Sequence, residues 1–154
     1  MNTETEVSIR RAGSDDAGLL LPMVEEFYAG PEYDTPKEAL ARHLRLMLDD
    51  ERSGVFLAEQ GGEGVGFAGA ILGTGLEFGT MAEVEDLFVK PGCRGHKVGS
   101  RLMMAIMDWC RDKGADEIFL VIAQHGEPAR QLERLYLRLG FQPSRRRLMY
   151  RPLK

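Results

Sequence analysis

Cysteine is scarce in this chain of 154 residues: Cys93 and Cys110 are the only two. They offer neither the paired spacing of a zinc site nor a disulfide framework, so no metal is expected. Long apolar runs are missing as well, and none approaches the roughly 20 residues that cross a bilayer. The opening Met-Asn-Thr-Glu-Thr-Glu is polar and acidic and lacks the apolar core of a signal peptide. The expected compartment is the cytoplasm, with no membrane partner. Positive charge is not in excess: 20 Lys and Arg stand against 24 Asp and Glu, a formal charge of −4. That balance argues against a nucleic-acid partner. Repeats, low-complexity tracts and linkers are absent, so a single domain over residues 1–154 is expected. No Gly-Lys-Ser/Thr of a Walker A loop occurs, and the one glycine-rich loop lies too late for a Rossmann fingerprint.

What is present suits an ordinary packed domain, with 44% apolar and 29% charged residues. The alternating Val7-Ser-Ile-Arg-Arg predicts a strand. Ser14-Asp15-Asp16 reads as a helix start, and Leu20, Met23, Val24, Phe27 and Tyr28 form a helical stripe. Pro22 inside the stripe predicts a kink or a late start. Ala29–Asp34 is a loop carrying Tyr33. Thr35-Pro36-Lys37-Glu38 reads as cap, first-turn proline and capping-box acid, opening a helix with Leu40, Leu44, Met47 and Leu48 on its buried face. Period 2 then takes over in 55–59 and 65–72, joined by the hairpin signal Gln60-Gly-Gly-Glu-Gly. Gly66 and Gly69 suggest a bulge or close packing, and 73–79 reads as a flexible loop. A helix over 98–113 capped by Gly114, a buried central strand over 117–123, a helix from Pro128 capped by Gly140, and one or two last strands in Phe141 and 148–153 complete the series. The succession predicts an α/β fold with a mixed sheet.

The rest of the chain is arranged around residues 83–102. Glu83 to Val89 is a strand candidate that carries Glu83, Glu85 and Asp86. Pro91 ends it. Gly92, Gly95 and Gly99 permit close approach, and a helix begins at Val98. Unpaired N–H groups at a helix start form an anion site, and Arg94 and Lys97 beside them suit a polyphosphate. The three acids can equally be a solvated strand face. Glu83 and Glu85 have the same parity, so they share a face unless a bulge intervenes.

Val89-Lys-Pro91 followed by Arg94-Gly-His-Lys97-Val-Gly99 resembles the acyl-CoA motif of the GCN5-related N-acetyltransferase (GNAT) family, and the resemblance runs over nearly the whole chain. Tyr136-Leu-Arg-Leu-Gly140-Phe141 is similar to its second landmark. Two positions depart: Lys97 stands where the motif has its first glycine, and Ala129 where the family often has asparagine. The resemblance implies a central, mostly antiparallel sheet with flanking helices and splayed fourth and fifth strands, which hold the thioester of acetyl-CoA, the co-substrate. It implies cofactor contacts from Leu87, Phe88 and Val89 and from Arg94, Gly95, His96, Lys97, Val98, Gly99 and Ser100. A backbone N–H of Leu87 or Phe88 would face the developing oxyanion. Glu83 looks like the base of the histone acetyltransferases, whereas Glu85-Asp86-Leu-Phe-Val89 looks like the polyamine enzymes.

The implied activity is direct transfer of acetyl from acetyl-CoA to a primary amine of a small molecule. An amine with pKa near ~10 is protonated at pH 7, so a carboxylate, Glu83 or Glu85, must take its proton. Tyr136 is the candidate acid for the leaving thiolate, although a tyrosine on a helix face is more often a core aromatic. Phe27, Tyr28 and Tyr33 are placed as acceptor-wall residues by analogy of fold, and Asp86, beside Glu85, suits binding of a cationic small amine. Transfer to a protein N-terminus or lysine, and a non-catalytic CoA-binding regulatory domain, are the alternatives. A homodimer is a further expectation, since relatives often pair.

Overall fold

The computed structural model describes residues 5–154. These divide into two compact units, one ending at Val121 and the other Ile122–Lys154. The first holds strands β1 (Ser8–Arg11), β2 (Ser53–Gln60), β3 (Glu63–Gly75), β4 (Gly79–Val89) and β5 (Glu117–Leu120), with helices α1 (Ala17–Phe27), α2 (Lys37–Asp49) and α3 (Val98–Asp112). The second holds α4 (Gly126–Arg138) and the segment that follows it. The five strands form one sheet in chain order. β1 to β4 are antiparallel and β5 runs parallel to β4, which is the mixed, mostly antiparallel sheet expected.

Alternation along β2 feeds both faces of the sheet. Val55 and Leu57 join Phe67 and Phe88 in a core cluster with Leu20, Met23 and Val24 of α1 and Leu40 and Leu44 of α2. Phe56, on the other face, meets Trp109 of α3 with ring centroids 6.5 Å apart. Gly54 lets that helix come close, since a Cβ there would lie 2.8 Å from the Trp109 ring. The β2–β3 turn is built on Gly61 and Gly62, with φ of 59° and 79°, the left-handed pair that a two-residue hairpin prefers.

Several expectations change. α1 runs through Pro22 and begins at Ala17, after a 3-10 turn over Ser14–Asp16. The missing donor costs one early helical bond, and burial of Leu20, Met23 and Val24 on the same helix offsets it. The cap of α2 is Pro36 rather than Thr35, and no side-chain bond caps it. Pro36 has φ −60° and ψ 146°, so the helix cannot include it. The segment 73–79 is a loop only over 76–78, a short turn between two paired strands. β3 reaches Gly75 and pairs it with Gly79, because the ladder satisfies backbone groups that a loop would leave to water. β5 is short and stands at the end of the sheet order rather than at its centre, with Phe119 39% exposed. Residues 141–154 form no strand. Strand geometry needs a neighbouring backbone to accept its hydrogen bonds, and none of the sheet's pairings involves this segment. No helix among the described residues is long and apolar enough to cross a membrane.

Candidate active site

β4 carries an irregularity that arranges the acids. Gly69 of β3 pairs with Asp86, but the next residue, Ala70, pairs with Val84. Glu85 is therefore the extra residue of a β-bulge. Glu83 pairs with Ile71 and Asp86 with Gly69, two β3 positions of the same parity as Phe67 in the α1–α2 cluster. Glu83 and Asp86 thus share a face although three residues apart, which an unbroken strand forbids.

Glu85 and Asp86 line a cavity of about 240 Å³ between the sheet and α1–α2. Val24, Leu40, Leu44, Val55 and Phe67 supply its apolar floor, and Tyr28, Thr35, His43 and Met47 its remaining wall. No lysine or arginine is among the lining residues. The Tyr28 hydroxyl donates to Asp86 Oδ1. The Tyr28 ring packs edge-on against Tyr33 at 4.8 Å and against Phe27 at 4.9 Å. Tyr28 therefore sits in the cavity wall, and Tyr33 supports it from behind.

The electrostatics follow from burial. Asp86 has its pKa raised by desolvation, which the Tyr28 hydrogen bond partly offsets. Glu85 is also raised, first by desolvation and then by the nearby charges of Glu83 and Asp86. The Tyr28 phenol is pushed far up by burial and by Asp86, so it stays protonated as a donor. A pocket holding two carboxylates of raised pKa with no fixed counter-cation is suited to a cationic ligand.

The second component is an open strand edge. β4 pairs with β5 only from Met81 to Val84. Beyond Val84 the edge of β4 away from β3 has no partner strand among the described residues. Lys90 N–H bonds the Val65 carbonyl of β3 at 2.9 Å. Since alternate amides of a strand point the same way, Phe88 N–H also turns toward β3, whereas Leu87 and Val89 N–H turn to the open edge. Of the two amides suggested by sequence, Leu87 is the one left available. The Phe88 side chain belongs to the core.

The third component is the glycine loop. A 3-10 turn over Pro91–Cys93 leads to Gly95 with φ 85° and Lys97 with φ 62°. Lys97 is the one non-glycine residue among those described with positive φ. A right-handed backbone at Lys97 is therefore excluded: it takes the left-handed conformation of a glycine while keeping its side chain. The first helical bond of α3 is Arg101 N–H to the Lys97 carbonyl, 3.0 Å. The amides of Val98, Gly99 and Ser100 precede that ladder and project from the helix start. Left-handed residues beside such amides make a concave anion nest. Arg94, His96 and Lys97 are exposed around it, and Arg94 Nε donates to the Val89 carbonyl at 2.9 Å, tying the guanidinium to the end of β4. Donor set and charge fit a pyrophosphate. No group of three or more potential metal ligands occurs among the described residues.

In the second unit, Tyr136 is buried near the end of α4, its ring 5.7 Å from Phe141. The Phe141 amide bonds the Tyr136 carbonyl at 3.0 Å, and Gly140, with φ 94°, makes the turn between them. Thr35 and His43 were not singled out as site residues by sequence. The spacing of Leu40, His43 and Met47 along one helical face was the available signal for His43.

A family model for the acetyltransferase (GNAT) family matches residues 20–141. An uncharacterised N-acetyltransferase of Archaeoglobus fulgidus is 30% identical over 111 residues, 70% of this chain and 76% of that protein. Aminoglycoside N(6')-acetyltransferase type 1 of Stenotrophomonas maltophilia is 36% identical over 93 residues, 57% of this chain and 58% of that one. Among solved structures, the aminoglycoside N-acetyltransferase AAC(6')-Iy in complex with CoA superposes with a TM-score of 0.83 at 20% identity, over 100% of this chain and 99% of that chain. That likeness is one of fold.

Proposed function

We infer that this chain, which belongs to the acetyltransferase (GNAT) family and is an acetyl-CoA-dependent N-acetyltransferase, acts on the primary amine of a small cationic molecule. The observation that carries the reading is the cavity in which Glu85 and Asp86 meet without any lysine or arginine in the lining. Its volume of about 240 Å³ lies below the range of drug-sized pockets and favours a slender amine. Polyamines, amino acids and amino sugars are the classes in view. The aminoglycoside enzyme among the relatives supports the last of these.

Acetyl-CoA supplies the activated acyl group when bound. The chain's own residues then divide the work. The loop amides of Val98, Gly99 and Ser100, with Gly95, Lys97, His96 and Arg94, hold the pyrophosphate. Val89 N–H, on the open edge of β4, is available to the cofactor arm. Asp86, positioned by Tyr28, offsets the charge of the incoming ammonium. Glu85 takes its proton, and a carboxyl pKa raised toward neutrality suits that role. Leu87 N–H faces the position where negative charge develops on the acyl oxygen. Tyr136 donates a proton to the departing thiolate, a role resting on its place in the Tyr-Leu-Arg-Leu-Gly-Phe run.

Calorimetric binding of acetyl-CoA followed by thiol release across an amine panel tests the reading. The panel holds a polyamine, an amino acid, an amino sugar and a lysine-containing peptide. Release with one or more of the small amines is expected. Release with the peptide alone would replace the reading by protein acetylation, and binding without release for every amine would favour a regulatory domain.

A further inference from the structure

The cavity between the sheet and α1–α2 is charged at one end only. Val55 of β2 pairs with Gly69 of β3, and Gly69 pairs with Asp86 of β4. Directly opposed residues share a face, so the three form one row. Val55 and Asp86 stand about 10 Å apart in it, two strand spacings. Gly69 leaves the middle of the row empty. A Cβ there would lie 3.4 Å from Met47 Cε and 3.6 Å from Asp86 Oδ2, so the methionine methyl and the carboxylate border the same hollow.

Both acids of the lining, Glu85 and Asp86, are neighbours on β4. The floor residues Val24, Leu40, Leu44, Val55 and Phe67 all belong to the core cluster. This division sorts the small amines. The second ammonium of a polyamine would reach the floor and find no acid. The carboxylate of an amino acid would find no lysine or arginine in the lining and would be repelled by Glu85 and Asp86. Thr35 and His43 offer two polar side chains, fewer than the hydroxyls of an amino sugar, and a hydroxyl set on the floor without a partner is costly. An alkyl or arylalkyl body suits the same floor, because it exchanges water for apolar contact.

We propose that the preferred acceptor is a primary monoamine with an apolar tail, and that Gly69 sets this preference by leaving room for the tail between Asp86 and Val55. The inference rests on the reading of this cavity as the acceptor site and narrows the substrate class within it. The amine nitrogen bonds the acetyl carbon, the carbon–sulfur bond breaks, and the ammonium proton leaves through Glu85. The products are an uncharged N-alkylacetamide and CoA thiol. Having lost its charge, the amide no longer pairs with the two acids, which favours its release.

Initial rates of thiol release from acetyl-CoA test this with ethylamine, butylamine, hexylamine and phenethylamine. Hexylamine is compared with 1,6-diaminohexane, 6-aminohexanoate and glucosamine. Along the alkyl series kcat/KM should rise by about fourfold per methylene until the cavity is full. The diamine, the amino acid and the amino sugar should each fall about tenfold or more below hexylamine. Gly69→Ala places a methyl in the hollow at van der Waals distances, on a backbone that is not left-handed. It should lower the hexylamine-to-ethylamine ratio of kcat/KM about fivefold or more, and calorimetric binding of acetyl-CoA checks that the variant is folded. A flat alkyl series, or a diamine or amino sugar that outruns hexylamine, overturns the proposal while leaving small-amine acetylation standing. An unchanged ratio in a Gly69→Ala variant that binds acetyl-CoA overturns it too. No release with any small amine overturns the acceptor-site reading and this proposal with it. The parent series decides independently of the variant.

Discussion

The hydroxyl of Tyr28 donates to the carboxylate of Asp86, joining the end of α1 to the residue that follows the β4 bulge. This bond works against the desolvation that raises the Asp86 pKa. Tyr28→Phe removes it, so Asp86 should hold its proton to still higher pH. The KM for a cationic amine is expected to rise several-fold, most strongly at the acidic end of the profile. Stability should fall by about 1 kcal/mol, the net worth of one hydrogen bond. An amine KM that responds equally at all pH values would detach Asp86 from acceptor binding.

Asp86 itself is expected to cost stability. Its folded-state pKa lies above the ordinary carboxylate value, so the folded protein binds more protons than the unfolded chain just above pH 4. Stability is therefore lost as pH rises through the folded pKa. Asp86→Asn should melt higher than the parent at pH 7, by about 2–4 °C for each kcal/mol relieved. The advantage should vanish near pH 4, while activity falls at every pH. A lower melting temperature at pH 7 would show that the charged form is the better accommodated one.

Glu85 and Glu83 should separate in their pH–rate profiles. Glu85→Gln is expected to abolish the acidic limb of kcat/KM and to lower the rate by roughly 10²-fold or more. Glu83 contributes to the raised pKa of Glu85 through its charge. Glu83→Gln should therefore keep the limb but shift it to lower pH. The opposite pattern would move the base to Glu83.

Lys97 holds a left-handed backbone at φ 62°, which costs a residue with a Cβ about 1 kcal/mol. Lys97→Gly should raise stability by about that amount. Lys97→Ala should not, because it keeps the Cβ. Both remove a charge beside the anion nest, so both should weaken acetyl-CoA binding by a few-fold in a calorimeter and reduce its salt dependence. Unchanged affinity in both would remove the Lys97 charge from cofactor binding.

Tyr136→Phe should lower kcat by about 10²-fold and leave the Kd for acetyl-CoA unchanged. Equal loss in kcat and in cofactor affinity would make Tyr136 a packing residue instead.

Much of this was legible from residue patterns. The helical stripe of Leu20, Met23 and Val24, the Gly61–Gly62 hairpin and the start of α3 at Val98 follow from local periodicity and turn chemistry, which neighbouring residues determine among themselves. The amide-lined loop before α3 was legible for the same reason, because its donors are consecutive amides. The pairing of Gly73, Thr74 and Gly75 with the start of β4 was missed, since glycines signal a loop locally and only a facing strand turns them into a ladder.

The acids show where the sequence ends and the tertiary structure begins. By itself the sequence determined that Glu83, Glu85 and Asp86 lie together on one strand before a glycine loop and a helix. It left two equal-parity acids on one face and the third on the other. Only the pairing of Gly69 with Asp86 and Ala70 with Val84 inserted a bulge at Glu85, brought Asp86 onto the face of Glu83 and turned Glu85 and Asp86 into one cavity. The same pairing, with Lys90 N–H on Val65, selected Leu87 over Phe88 as the outward amide. Register depends on the partner strand, and no residue within β4 encodes it alone.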